Sequence, residues 1–157
     1  GGPLEHLIGA KAVAFSEIMD NKFLDYINQV KINASVMAES LISLGYNIIS
    51  SGTDNHCILI DLRSKNITGK DAEYALGLAD ITVNKNMVPF DDKSPFVTSG
   101  IRIGTPAVTR RGFQEKEVSQ VADWISKIIK NIDDQSLISE IKNEVKSLCG
   151  NFPVYSQ

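Results

Sequence analysis

The sequence predicts an α/β fold, a small sheet covered by helices on at least one face. Three observations lead there. Apolar residues recur at helical spacing up to Leu44 and again beyond Phe113. Between them, short apolar runs are bounded by clusters of Ser, Gly, Asp, Asn and Pro. The resulting order is two helices, two strands, a helix, two strands and two helices.

Taken in order, Pro3 suits a first helical turn, with Gly2 as N-cap. Leu4, Leu7, Ile8, Phe15 and Ile18 follow at helical spacing, until Asp20-Asn21 interrupts. A second helix places Phe23, Ile27, Val30, Ala34, Met37 and Leu41 on one face, and Gly45 stops it. Strands are predicted at 46–49 and 57–62, separated by turn residues 50–55. Thr68 caps a helix from Gly69 to Ala79, with Asp71 in its first turn. Ile81–Val83 and Gly100–Ile103 read as strands, and Pro89 and Pro95 bracket an irregular loop between them. A helix from Gln114 to Ile129 carries the stripe Val118, Val121, Ala122, Ile125 and Ile128. The last runs from Ser136 to Leu148 through Ile141 and Val145.

The 157 residues favour one domain, alone or with an attached piece. A net charge of −3 gives no electrostatic argument for nucleic acid or an acidic membrane. No apolar run approaches the ~20 residues of a membrane span. Cys57 and Cys149 are far apart, which points to a reduced, cytoplasmic setting without a structural disulfide. The start at Gly1, without Met and inside what reads as a motif, suggests a piece of a longer protein.

Three features carry candidate chemistry. Arg102 lies inside the apolar run Ile101–Ile103, where its guanidinium needs an anion. A ligand carboxylate suits its bidentate fork, and so does an internal ion pair with Asp61 or Asp80. Gly1-Gly2-Pro3 opens a helix whose amides could meet a phosphate or form a plain cap. Asn86, Ser94, Pro95 and Phe96 belong to a turn-rich loop. There an Asn amide can read a heterocycle edge and Phe96 can stack on it, or Phe96 can anchor a solvated turn in the core. His6 and His56 have neither metal-ligand spacing nor a placed nucleophile, and no metal site is predicted. Arg110 and Arg111 read as neutralising the acidic first turn of the next helix.

Ordered motifs then carry a resemblance. They are G-G-P-L-E-H at 1–6, A-K-A-V-A-F at 10–15, S-G-T-D-N-H at 51–56, D-L-R-S-K at 61–65 and T-G-K-D-A-E at 68–73. I-T-V-N-K-N at 81–86, S-P-F-V-T-S-G-I-R-I-G-T-P-A at 94–107 and T-R-R-G-F at 109–113 follow. Over nearly its whole length the chain resembles the C-terminal third of the serine hydroxymethyltransferase family, and its tail L-C-G-N-F-P-V-Y resembles bacterial members.

The resemblance implies the C-terminal small domain of a fold-type-I pyridoxal-phosphate enzyme: a small, mostly antiparallel sheet packed with helices and preceded by long helices. Residues 1–20 would end the large domain, and 21–157 would form the linker helix and small domain. The activity implied is interconversion of serine and glycine with tetrahydrofolate as one-carbon acceptor, in a cytoplasmic homodimer. Arg102 would clamp the substrate carboxylate, and Gly1 and Gly2 would give amides to the cofactor phosphate. Asn86, Ser94, Pro95 and Phe96 would contact the folate. The family's cofactor-binding lysine lies in a T-T-H-K context that this chain does not contain. No catalytic residue is therefore assigned here, and the chain alone is expected to be inactive. An aldolase or aminotransferase of the same build, or a self-sufficient α/β binding module, are the alternatives. The first motif-bearing helix, Leu4 to Ile18, is expected to show an exposed apolar face through which an isolated piece self-associates.

Overall fold

A computed structural model describes residues 2–154. Six helices and a four-stranded sheet are present among them: α1 (Glu5–Ile18), α2 (Asn21–Ser43), β1 (Asn47–Ile48), β2 (Cys57–Asp61), α3 (Gly69–Leu78), β3 (Asn84–Asn86), β4 (Gly100–Gly104), α4 (Pro106–Arg110), α5 (Glu115–Lys130) and α6 (Gln135–Gly150). The sheet order is β1-β2-β4-β3, and every neighbouring pair is antiparallel. Among the described residues no helix is long and apolar enough to cross a membrane.

Register fixes what each face of the sheet shows, because side chains alternate along a strand. Ile58 pairs with Ile103, and Ile60 with Ile101, so these four share one face. All four are buried, in one cluster with Met37 and Leu41 of α2, Leu76 of α3, and Val118, Ile125 and Ile128 of α5. Ile138, Ile141 and Val145 of α6 complete that core. The opposite face carries Leu59, Arg102 and Asn84 in one row and Asp61, Gly100 and Asn86 in the next. Asn47, Asn84, Arg102 and Gly104 on that side are exposed.

Several local devices hold these elements. The Asp20 side chain caps α2 by accepting from the Lys22 amide, which turns the expected interruption into a helix start. Thr68 caps α3 by accepting from the Asp71 amide. α5 begins with a capping box between Gln114 and Glu117. Buried Asn33 of α2 donates to the Thr109 hydroxyl at 2.8 Å and to the Phe113 carbonyl at 2.9 Å, and the Thr105 hydroxyl donates to the Val30 carbonyl. These bonds stitch α2 to the segment after β4. At the sheet edge, the Glu73 carboxylate accepts from the Lys85 amide and pairs with its Nζ at 3.3 Å.

The structure corrects several sequence expectations. α1 starts at Glu5 with Leu4 at the cap position and no side-chain cap, because neither Gly2 nor Pro3 supplies a capping oxygen. The third strand is Asn84–Asn86, not 81–83. The Ile81 amide is spent on the Leu76 carbonyl at the end of α3, and Asp80 takes φ 60°, so ladder pairing begins later. β1 shrinks to Asn47–Ile48 because the chain coils into a 3₁₀ turn at Ile49–Ser51. α4 was not anticipated. Arg111 does not face the acidic turn of α5: its guanidinium donates to the Phe152 and Cys149 carbonyls and so caps the end of α6. Arg110 instead reaches Glu17 of α1 at 4.0 Å and lies over the Tyr26 ring. Both cysteines are free thiols.

Candidate functional site

Arg102 sits at the centre of β4, opposite Leu59 on one side and Asn84 on the other. Strand alternation turns it away from Ile101 and Ile103, onto the open face. The desolvation cost expected from its apolar neighbours in sequence therefore does not arise, because the residue is exposed. The internal ion pairs weighed against a ligand role do not form either. Asp61 is taken by Arg63, with Nη2 at 2.7 Å, and that hydrogen bond holds the Asp61 carboxyl below its ordinary range. Asp80 pairs with Lys142 at 3.3 Å. Among the described residues no carboxylate lies within ion-pair distance of Arg102, and no hydrogen bond engages its guanidinium. Its five N–H donors therefore have no partner among the described residues.

Asn86 shares this face with Arg102. It pairs with Gly100, two residues along β4, so the two are diagonal neighbours, a relation that places side chains about 7–8 Å apart. The Asn86 amide donates to the Met87 carbonyl at 2.7 Å. Gly100 has no room for a side chain: a Cβ there would stand 2.6 Å from the Ile60 carbonyl oxygen and from Val88. The loop from Met87 to Ser99 can fold back over the strand end only because this position is bare.

That loop is organised by Asp91, which in the sequence is one turn residue among several. Its carboxylate accepts from the amides of Val88, Lys93 and Ser99 and from the Ser99 hydroxyl at 2.7 Å. Burial pushes the carboxyl up, but the Ser99 hydroxyl and the three amides outweigh it and hold the group well below its ordinary value. The bond from Lys93, two residues on, is an Asx turn, the one signal by which the sequence announces the role. The far end of the loop is tied down where the Gly69 and Lys70 amides at the start of α3 donate to the Thr98 and Val97 carbonyls.

Ser94, Pro95 and Phe96 are all exposed on this loop. Phe96 is 82% exposed, which excludes the alternative in which it anchors the loop in the core. The structure thus brings Arg102 and Asn86 onto one face, with the 94–96 turn on the loop joining their strands. Gly1 lies outside the described residues. Gly2 precedes α1, and a Cβ there would meet nothing within 4 Å. His6 and His56 are exposed, and no group of three metal-ligating side chains forms among the described residues. A cleft of about 760 Å³ lies between α2 and the turn 49–55 and reaches Cys57 and Leu59. It shares the sheet face of Arg102 but does not include it.

Comparison with known proteins gives one answer. A family model described as Serine hydroxymethyltransferase matches residues 1–125. A serine hydroxymethyltransferase of Pseudoalteromonas atlantica is 58% identical over 156 residues, covering 99% of this chain and 37% of the relative. Serine hydroxymethyltransferases of Shewanella sediminis and Halorhodospira halophila are each 56% identical over 155 residues with the same shares covered. The chain thus spans a little over a third of the length of the curated relatives it matches.

Proposed function

Because the chain belongs to the serine hydroxymethyltransferase family, we propose that it is the C-terminal portion of such an enzyme, built on fold type I. In this reading residues 1–20 end the large domain and 21–157 form the linker helix and small domain. The whole protein is a cytoplasmic homodimer that converts serine and tetrahydrofolate reversibly to glycine and 5,10-methylenetetrahydrofolate. The observation that carries this role for the small domain is the exposed guanidinium of Arg102 at the centre of the open sheet face, unpaired among the described residues. Its planar fork suits one carboxylate bidentately, and its strand fixes where that carboxylate stands.

The residues present suit one end of pyridoxal phosphate. α1 has no side-chain cap, and Gly2 leaves its backbone open to close approach, so Gly1, Gly2 and the first helical amides can meet a phosphate. When bound, that cofactor supplies the electron sink for breaking a bond at the amino acid's α-carbon. Arg102 orients the amino acid by its carboxylate. Asn86 offers donor and acceptor atoms to the edge of the folate's heterocycle, while Ser94, Pro95 and Phe96 line the approach with one hydroxyl and an exposed aromatic face. The lysine that would hold the cofactor covalently is not in this sequence, so the chain alone is inactive in this reading.

The test is Arg102→Ala in the full-length protein. Serine binding is expected to fall by two orders of magnitude or more, on the order of the 2–5 kcal/mol lost when a hydrogen-bonded charge pair loses one member. The cofactor's absorbance should be retained. Unchanged serine affinity would remove Arg102 from the site.

A further inference from the structure

The loop between β3 and β4 contains two Pro-Phe turns of different backbone conformation. Val88-Pro89-Phe90-Asp91 is a turn closed by the Asp91 amide donating to the Val88 carbonyl at 3.0 Å. Ser94-Pro95-Phe96-Val97 is a turn closed by the Val97 amide donating to the Ser94 carbonyl at 3.0 Å. Each puts Pro at the second position and Phe at the third. Each Phe points into solvent, Phe90 at 99% and Phe96 at 82% exposure. Both turns hang from one carboxylate, since Asp91 ends the first and accepts from Ser99 just past the second.

Phe90 is the costlier of the two. It sits at φ 58°, a left-handed backbone that Gly or Asn ordinarily supplies at the third position of such a turn and that a bulky residue rarely adopts. Pro-Gly would make a more relaxed turn here. The chain instead holds a strained phenylalanine that gains almost no packing from the described residues. Thr98 of the same loop has a similar φ of 59° but is buried. The combination of strain and full exposure is therefore particular to Phe90 in this loop, and a contact from outside the described residues would account for it.

Phe90 lies between Asn86 and Ser94, in a loop already read as meeting a ring-bearing co-substrate. We infer that Phe90 is a second aromatic contact for that co-substrate and sets its affinity alongside Phe96. The two Pro-Phe turns give a ligand with two flat rings, such as a reduced pterin joined to an aminobenzoyl group, one phenyl face for each. This inference rests on the folate reading above.

The variants are Phe90→Gly, Phe90→Tyr, Phe96→Ala and Asn86→Ala in the full-length protein. For each, KM is measured separately for tetrahydrofolate and serine, together with dimer sedimentation. Gly accepts the backbone at position 90 without strain, so Phe90→Gly keeps the turn and removes only the ring. It should raise the tetrahydrofolate KM about tenfold, the scale of one ring contact. The serine KM and the dimer should be unchanged, and Phe90→Tyr should behave as the parent. If Phe96→Ala and Asn86→Ala weaken folate while Phe90→Gly does not, Phe90 is no contact and the folate reading survives. If Phe90→Gly loosens the dimer and leaves the folate KM alone, the ring belongs to a subunit interface and the inference is overturned. If none of the variants alters the folate KM, the folate reading itself fails and takes this inference with it.

Discussion

α1 and α5 are helices of similar length with opposite fates. α5 buries Val118, Ala122, Trp124, Ile125, Ile128 and Ile129 along one stripe and shows charges on the other side. α1 buries no residue, although Leu4, Leu7, Ile8, Val13, Phe15 and Ile18 are all in or beside it. The difference lies in what covers them. Both helices gather most of their large apolar residues on one side, and in and beside α1 Leu4, Leu7, Ile8, Phe15 and Ile18 share an arc of about 100°. Among the described residues nothing buries that arc, and an apolar face of this kind is stable only when covered. α5 is therefore finished by the contacts the chain itself provides, and α1 is not. This agrees with a chain that spans 37% of the length of its relatives.

The largest effect should come from trading one residue between these two settings. Ile125→Ala, at a fully buried site, should destabilise the isolated chain by about 3 kcal/mol in denaturant unfolding. Phe15→Ala, which removes more carbon from an exposed site, should change it by less than about 0.5 kcal/mol. Equal losses would mean that α1 is packed after all. A smaller effect is expected from Asn33→Ala, which leaves the buried Thr109 hydroxyl and Phe113 carbonyl without that donor. The cost should be about 2 kcal/mol, seen as a lower unfolding midpoint with an unchanged denaturant slope. A neutral result would show α2 held to α4 without help from Asn33, by apolar contact and by the Thr105–Val30 and Tyr26–Pro106 hydrogen bonds.

The smallest effect concerns the loop rather than the core. Asp91 titrates below its ordinary value in the folded chain, so its contribution is complete above roughly pH 4 and is lost as pH falls through the lowered folded value. Amide-exchange protection at Val88, Lys93 and Ser99, relative to the core amides, should be flat from neutral pH down to about pH 5 and fall only in strong acid. Asp91→Asn should weaken it throughout the range in which the parent is flat. Protection that declines near neutrality would place some other group in control of the loop.

Periodicity sufficed for α2, α5 and α6, because a one-sided apolar stripe is both the sequence signal and the cause of packing. It failed at α4, where five residues are too few to show a period. It also misplaced β3: Ile81 and Val83 are buried, but the Ile81 amide serves the end of α3. Asn33 was invisible because a polar residue on a helix announces burial only through distant partners. At the site, the local run I-R-I suggested a buried charge, whereas alternation across a sheet decides which face each residue takes. Only the pairing of β4 with β2 and β3 reveals that Arg102 looks outward. Asn86, Ser94, Pro95 and Phe96 were singled out by their motif, and neither the half-burial of Asn86 nor the exposure of 94–96 could be read from it.

The carboxylate of Glu73, clamped on the Lys85 amide of β3, blunts one margin of the sheet to templating. The other margin, β1, is only two residues long, too short to nucleate strand addition, the usual route to fibrils. Clumping in a test tube would then proceed through greasy α1 and give amorphous, detergent-reversible particles.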